Sequence, residues 1–88
     1  MSILNNQPIH DSLFQVERND ETYQVKGRNF SNRVKLNDLI LVERNGQHYK
    51  CSWNRLNNWN NLKDDDLILT EYNNEFYHVK GSVFKSLF

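Results

Sequence analysis

The stretch DLILVERNGQHYKCSW, residues Asp38–Trp53, has the pattern of a β-hairpin. An apolar run precedes Asn45-Gly46, and a second run, centred on Tyr49 and Cys51, follows it. Asn-Gly between two such runs is typical of a two-residue type I′ turn, because both turn residues take a positive φ. The stretch therefore predicts two antiparallel strands that are joined at Asn45-Gly46.

The same pattern occurs three times along the chain. It appears as SLFQVERNDETYQVKG at Ser12–Gly27 and as DLILTEYNNEFYHVKG at Asp66–Gly81, and apolar residues at helical spacing follow. Units of this length bury their faces against each other. The sequence predicts a small, mostly β domain with short helices: three tandem β-hairpin/short-helix repeats in pseudo-threefold or tandem packing. We place an N-terminal arm at residues 1–8 and a single domain at 9–88, with repeats at 9–35, 36–61 and 62–88.

The repeat also predicts the register of each hairpin. A two-residue loop pairs Val42 with Tyr49 and Ile40 with Cys51, and β-branched or aromatic cross-strand pairs of this kind stabilise a sheet. A one-residue slip would place Tyr49 against a polar partner. We expect a looser turn at Asn19-Asp20, since Asp tolerates a positive φ less well than Gly. The equivalent pairs in the other copies are Val16–Tyr23, Phe14–Val25, Thr70–Tyr77 and Ile68–Val79.

Four columns are identical in all three copies. The Asn column suits a turn, and we predict that the Leu and Tyr columns lie in the core. The Glu column has two interpretations: a triangular site for a cation or for a partner's arginines, or charge pairing with Arg18, Arg44 or a nearby Lys at a sheet edge. The columns are Leu13, Leu39 and Leu67; Glu17, Glu43 and Glu71; Asn19, Asn45 and Asn73; and Tyr23, Tyr49 and Tyr77.

Composition narrows the classes of function. Lys plus Arg and Asp plus Glu are equal at 11 each, so there is no electrostatic case for nucleic acid or for an anionic membrane. The single Cys51 excludes an internal disulfide and a cysteine metal cage. No apolar run reaches the length of a membrane span, and the Met1 end lacks the layout of a signal peptide. We expect a protein that is made in a cytoplasm and is not secreted through a signal peptide.

Catalytic and cofactor motifs are not apparent. His10, His48 and His78 are not at metal-ligand spacing with any Cys or carboxylate pair. By the predicted register, His48 and His78 lie at exposed strand positions. His10-Asp11-Ser12 contains the residue types of a triad, but adjacency in sequence is not triad geometry. We predict no catalytic residue, metal or cofactor, and no enzymatic activity.

The third copy resembles a short motif of virion structural proteins of tailed bacteriophages, notably cyanophages and other marine phages. The motif is roughly D-L-F-L-V-x-R-x-G-x-x-Y-K-V-T-G-x-D-L-K-x-x-L. The second copy departs from it at Trp53, where the motif has Gly, and the first copy has Ser12 for the Asp and Gln15 for an apolar residue. The third copy matches at Asp66-Leu67, Leu69, Tyr77, Val79, Gly81, Phe84-Lys85 and Leu87 or Phe88, and the second at Asp38-Leu39, Leu41-Val42, Arg44, Gly46 and Tyr49-Lys50.

The resemblance implies a non-enzymatic virion protein. Such a protein would be a minor capsid decoration or cement subunit, or a neck or tail accessory, that binds other virion proteins, and possibly itself, by surface complementarity. The alternative is a small phage-encoded regulatory module that inhibits or redirects a host protein. The candidate partner contacts, chosen for their expected exposure, are Ile3, Leu4, Trp59, Leu87 and Phe88.

Overall fold

The described residues form seven strands and three short helices. The computed structural model describes residues 2–3, 9–56 and 61–88. The strands are β1 (Ser2–Ile3), β2 (Leu13–Arg18), β3 (Glu21–Lys26), β4 (Leu39–Arg44), β5 (Gln47–Ser52), β6 (Leu67–Tyr72) and β7 (Glu75–Lys80). A 3₁₀ turn at Gly27–Asn29 leads into α1 (Phe30–Arg33), and α2 (Trp53–Leu56) and α3 (Gly81–Lys85) follow the other hairpins. The predicted mostly β fold with short helices is confirmed.

The three hairpins have the predicted register. β2 pairs with β3, β4 with β5 and β6 with β7. The cross-strand pairs include Val42 with Tyr49 and Ile40 with Cys51. Each hairpin therefore has a two-residue loop, and its strands present the predicted residues to each other.

The three hairpin turns share one backbone conformation. Asn19, Asn45 and Asn73 are exposed at the first turn position and take φ values of 52°, 53° and 52°. The prediction that the Asn column forms turns is confirmed. The looser first turn is wrong: Asp20 takes a φ of 65°, in the same left-handed region as Gly46 at 78°. Asp and Asn tolerate this region better than other residues with a Cβ.

The first strands of the three hairpins also pair with one another. Each junction pairs a repeated Glu with a repeated Leu. Beside that pair, Val16 lies opposite Ile40, Val42 opposite Ile68 and Thr70 opposite Phe14. β2, β4 and β6 thus form a closed ring with pseudo-threefold symmetry, the first of the two arrangements that the sequence allowed.

The core lies between the ring and the helices. Phe14 of β2 contacts Phe30 of α1 and Phe84 of α3, with ring centroids 5.6 and 5.4 Å apart. Trp53 of α2 packs against Phe30 at 5.0 Å. All three repeats therefore share one aromatic cluster. The other buried apolar residues around it include Val16, Val25, Ile40, Val42, Leu56, Leu62, Ile68 and Val79.

The repeated Leu column is not part of this core, which corrects the sequence prediction. Leu13, Leu39 and Leu67 are only half-buried. Side chains alternate along a strand, so these leucines lie on the face of the ring opposite to the buried Phe14 and Ile40.

The repeated Tyr column lies at the margin of the core. Tyr23, Tyr49 and Tyr77 are all half-buried, and the first two pack against the buried apolar cluster. The prediction that these tyrosines lie in the core is therefore wrong as far as full burial is concerned, because all three side chains stay partly exposed.

Backbone hydrogen bonds hold the turn at the start of each repeat against the start of that repeat's helix. The backbone N–H groups of Gly27, Trp53 and Gly81 donate to the carbonyl oxygens of Ser12, Asp38 and Asp66, over 2.9, 2.8 and 2.7 Å. At Gly27 a Cβ atom would overlap the carbonyl oxygen of Ile9, and at Gly81 it would overlap that of Lys63. Glycine at these two positions lets the turn pack directly on the helix.

β1 adds a strand to the outer edge of the third hairpin. Ser2 lies beside Tyr77 and Ile3 beside His78, in parallel with β7. The outer strands of the other hairpins, β3 and β5, pair only with β2 and β4 among the described residues. No helix in the described part of the chain is long and apolar enough to cross a membrane.

Candidate functional site

A charged pair joins the first hairpin to the second. Arg18, the last residue of β2, donates from Nε to Oδ1 of Asp38 over 2.6 Å and from Nη2 to Oδ2 over 2.5 Å. Asp38 precedes β4, and its side chain is 2% exposed. Bidentate, charge-assisted contacts are both strong and directional, so this pair fixes how the two hairpins meet.

The second and third hairpins are joined in the same way. Arg44 donates to Asp66 from Nε over 2.7 Å and from Nη2 over 2.5 Å. The backbone N–H groups of Lys35 and Lys63 donate to the carboxylates of Asp38 and Asp66 over 2.9 and 2.8 Å. The arginine at each junction lowers the pKa of its aspartate below the ordinary value, chiefly through these hydrogen bonds.

The third junction, between the last hairpin and the first, has different residues. Tyr72 occupies the arginine position and Ser12, which is buried, occupies the aspartate position. Nearby in the third repeat, the Tyr77 hydroxyl donates to Glu75 over 2.8 Å. The arginine and aspartate columns change together, which is a sequence signal for the contact that our prediction did not use.

The tyrosines of the first two repeats lie under the junction arginines. Arg18 is 4.9 Å from the centre of the Tyr23 ring, and Arg44 is 5.5 Å from that of Tyr49. The Tyr23 hydroxyl donates to Asp38 over 3.1 Å, whereas the Tyr49 hydroxyl is buried and has no hydrogen-bond partner in the described part of the chain. Burial raises the pKa of both tyrosines.

Each repeated glutamate reaches the second strand of the next hairpin around the ring. The contacts are Glu17 with Lys50 at 2.7 Å, Glu43 with His78 at 3.6 Å and Glu71 with Gln24 at 2.5 Å. Pairing with a lysine is confirmed at Lys50. Pairing with Arg18 or Arg44 is wrong, because both arginines bind aspartates. Within the ranges described, no three His, Cys, Asp or Glu side chains come together as a possible metal site, so the glutamates act at separate junctions.

Glu43 is flanked by two histidines. Its Oε1 lies 2.8 Å from Nε2 of His48 and 3.6 Å from Nε2 of His78. His48 is exposed as predicted, at 58%, but the side chain of His78 is only 16% exposed. The side chain of His78 contacts Glu43 of β4, and β1 lies beside it on the other edge of β7.

An apolar cleft of about 290 Å³ lies on the outer face of the ring. Gln15, in the column of Leu41 and Leu69, lines it, and its Nε2 is buried without a hydrogen-bond partner among the described residues. The helices pack against the opposite face of the ring, so no described helix covers the leucines of this outer face, Leu39, Leu41 and Leu69. The lining residues are Gln15, Val16, Glu17, Thr22, Leu39, Leu41, Lys50 and Leu69.

A second cleft, of about 470 Å³, lies beside the outer edge of β5. We call it the β5 cleft. Cationic side chains predominate in its lining, which consists of Arg44, Tyr49, Lys50, Cys51, Arg55, Asn61 and Lys63.

The predicted partner contacts fall into three groups. Leu4 and Trp59 lie outside the described residues. Ile3 ends β1 and pairs with His78. Leu87 is half-buried against the core, while Phe88 is 46% exposed. No known protein family, curated protein or solved structure matches the chain.

Proposed function

We propose that this chain is a non-enzymatic structural protein that docks on a larger assembly, the virion of a tailed bacteriophage. It would serve as a minor decoration, cement, neck or tail accessory subunit. The observation that carries the proposal is the pair of outer edges on β3 and β5, which have no further strand among the described residues. An open edge presents backbone N–H and C=O groups that pair with another chain.

The structural roles of the repeated residues support a docking function. The repeated asparagines form turns, and the repeated glutamates bridge neighbouring hairpins. Specificity for a partner therefore lies where the copies differ. Large apolar side chains are exposed at three such positions: Leu36 at 56%, Phe76 at 51% and Phe88 at 46%.

The resemblance of the third copy to a virion motif supports the choice of a phage particle as the assembly. The matched residues include Gly81 and Phe84, which are buried by packing, and Asp66, which forms the buried ion pair with Arg44. Their match to the motif indicates that this chain and the virion proteins share a structural unit. The residues around that unit would then determine the partner.

Cosedimentation with purified phage particles, quantified by mass spectrometry, tests the proposal. We expect the protein to travel with particles at a reproducible ratio to the shell or tail proteins. Thr22→Pro and His48→Pro each remove an outward-facing N–H from an open edge without removing a bond of the hairpin. At least one of them should reduce cosedimentation, whereas Thr22→Ala and His48→Ala should not.

One result would contradict the proposed virion function. A protein that is missing from the particles but captures one host protein in stoichiometric amounts would overturn the proposal in favour of the regulatory module.

A further inference from the structure

The place that β1 occupies on the third hairpin has a counterpart on the second. β1 lies beside Tyr77 and His78 of β7. The equivalent residues of the second repeat are Tyr49 and Lys50 of β5, and both line the β5 cleft. The fold thus shows an extended segment bound in parallel at one edge, and an open cleft at the equivalent position of another edge.

The backbone of β5 is oriented to accept such a segment. In a two-residue hairpin, the residues that flank the turn form a hydrogen-bonded pair, and every second pair after it does the same. Arg44–Gln47, Val42–Tyr49 and Ile40–Cys51 are therefore the bonded pairs. The N–H and C=O groups of Lys50 consequently point away from β4, towards the open edge.

The charge of the β5 cleft specifies the kind of segment. Its lining contains four cationic side chains and no acidic one. Arg44 is already bound to Asp66, and Lys50 to Glu17. Arg55 and Lys63 are exposed and form no ion pair with any described residue. Among the described residues, neither Arg55 nor Lys63 has a bound counter-ion, although Lys63 acts on Asp66 at longer range.

The Tyr49 hydroxyl is a second sign of an absent partner. It is buried and has no acceptor among the described residues, although its counterpart Tyr23 donates to Asp38. A buried donor without an acceptor costs stability. A carboxylate that enters the cleft would supply an acceptor for this hydroxyl and a counter-ion for Arg55 and Lys63.

We propose that the β5 cleft binds an extended, acidic segment of a partner protein, which adds as a parallel strand to the outer edge of β5. This inference deepens the proposed function, on which it rests, by naming the chemistry of the partner. Backbone pairing with Lys50 supplies the attachment, and carboxylates of the segment bind Arg55 and Lys63. The mode of binding is β-augmentation with side-chain specificity set by charge.

The test uses a seven-residue peptide, acetyl-DVDVDVD-amide, titrated into the ¹⁵N-labelled full chain. Versions with Asn or Lys in place of every Asp are the matched probes. We expect backbone amide shifts for the Asp peptide at Lys50 and Ser52, with smaller shifts at the equivalent Gln24 and Lys26 of β3. Because strands in parallel keep their direction, a nitroxide at the peptide's N-terminus should broaden His48 more than Ser52, and one at its C-terminus the reverse.

Charge reversals separate binding from folding. Arg55→Glu and Lys63→Glu alter exposed residues, and each should weaken binding of the Asp peptide at least fivefold while the spectrum stays folded. Lys35→Glu is the matched control, because Lys35 occupies the position of Lys63 in the preceding repeat. It should leave the affinity within twofold of wild type.

Three results would overturn the inference: equal affinity for the Asp, Asn and Lys peptides, shifts that map to β3 or the outer leucine face, or no shift at millimolar peptide. Its failure is distinguishable from that of the proposed function. If the protein cosediments with particles but binds no peptide, only the proposal for the β5 cleft is contradicted. If it binds the peptide but does not cosediment, the proposal for the cleft stands and the assignment to a virion is contradicted.

Discussion

Arg18 and Asp38 form a bidentate ion pair across the junction between the first two hairpins, with Nε 2.6 Å from Oδ1 and Nη2 2.5 Å from Oδ2. Arg44 and Asp66 repeat this geometry at the next junction. The ring therefore has two junctions held by charge and one, between its last and first hairpins, that is built from other residues. The stability of the fold should depend on these two pairs.

Replacing Asp38 by Asn tests the first ion pair. The substitution keeps the size of the side chain but removes the charge that faces Arg18, so we expect a loss of about 2 kcal/mol in the free energy of unfolding. Urea denaturation followed by tryptophan fluorescence measures it. Asp65→Asn, at an exposed position, should change the stability by less than about 0.5 kcal/mol. Equal effects of the two substitutions would contradict the assigned role of Asp38.

Acid should weaken the fold through Asp38 and Asp66. Their pKa values are lowered in the folded state, so the unfolded chain binds more protons in the acidic range. The stabilisation is complete above the ordinary aspartate pKa, near 3.9, and is lost as the pH falls through the lower folded values. Thermal unfolding between pH 7 and pH 2 should show this. Asp38→Asn should flatten the acid limb, and an unchanged limb would contradict the assignment.

Substitution of Gly27 should destabilise the fold for steric reasons. A Cβ at Gly27 would overlap the carbonyl oxygen of Ile9, so Gly27→Ala should cost roughly 2 kcal/mol as the turn moves away from the helix. Gly46 provides the control, because a Cβ there meets nothing within 4 Å. Its φ of 78° lies near the 64° of Asn74, so Gly46→Asn should be nearly neutral. Equal melting temperatures for the two variants would contradict this explanation.

Phe30 should be the most sensitive core position. It contacts Phe14, Trp53 and Phe84 and is fully buried. Phe30→Ala should cost about 3–5 kcal/mol, a large part of the roughly 4–13 kcal/mol expected for a domain of this size. Phe76→Ala, at an exposed position, should cost little. Chemical denaturation of both variants checks the contrast, and a small effect at Phe30 would place the core elsewhere.

Local features of the fold were predictable because local sequence determines them. The turns at Asn19, Asn45 and Asn73 follow from the residue type, since Asn adopts a positive φ readily. The register and the burial of residues such as Ile40 follow from alternation along each strand. The triplication made the same pattern visible three times.

Features that depend on ring closure were not predictable in the same way. Both faces of the ring carry apolar residues, so identity across the copies did not reveal that Leu39 lies outside the buried core. His78 is largely buried because it contacts Glu43, a residue far from it in sequence, and lies beside Ile3 of β1. The Arg18–Asp38 pair could have been predicted from the sequence. At the third junction Tyr72 replaces the arginine and Ser12 replaces the aspartate, so the two positions change together.

Closure of the ring also bears on how the chain folds. Contacts at the first two junctions join residues about 20 positions apart, such as Arg18 and Asp38, whereas the Thr70 hydroxyl at the third junction binds the carbonyl of Leu13 across 57 positions. Ordering the longer loop costs more chain entropy and comes later. We therefore expect docking of β6 on β2 to limit the folding rate. A circular permutant that begins at residue 36 would transfer this slow step to the junction between Arg18 and Asp38.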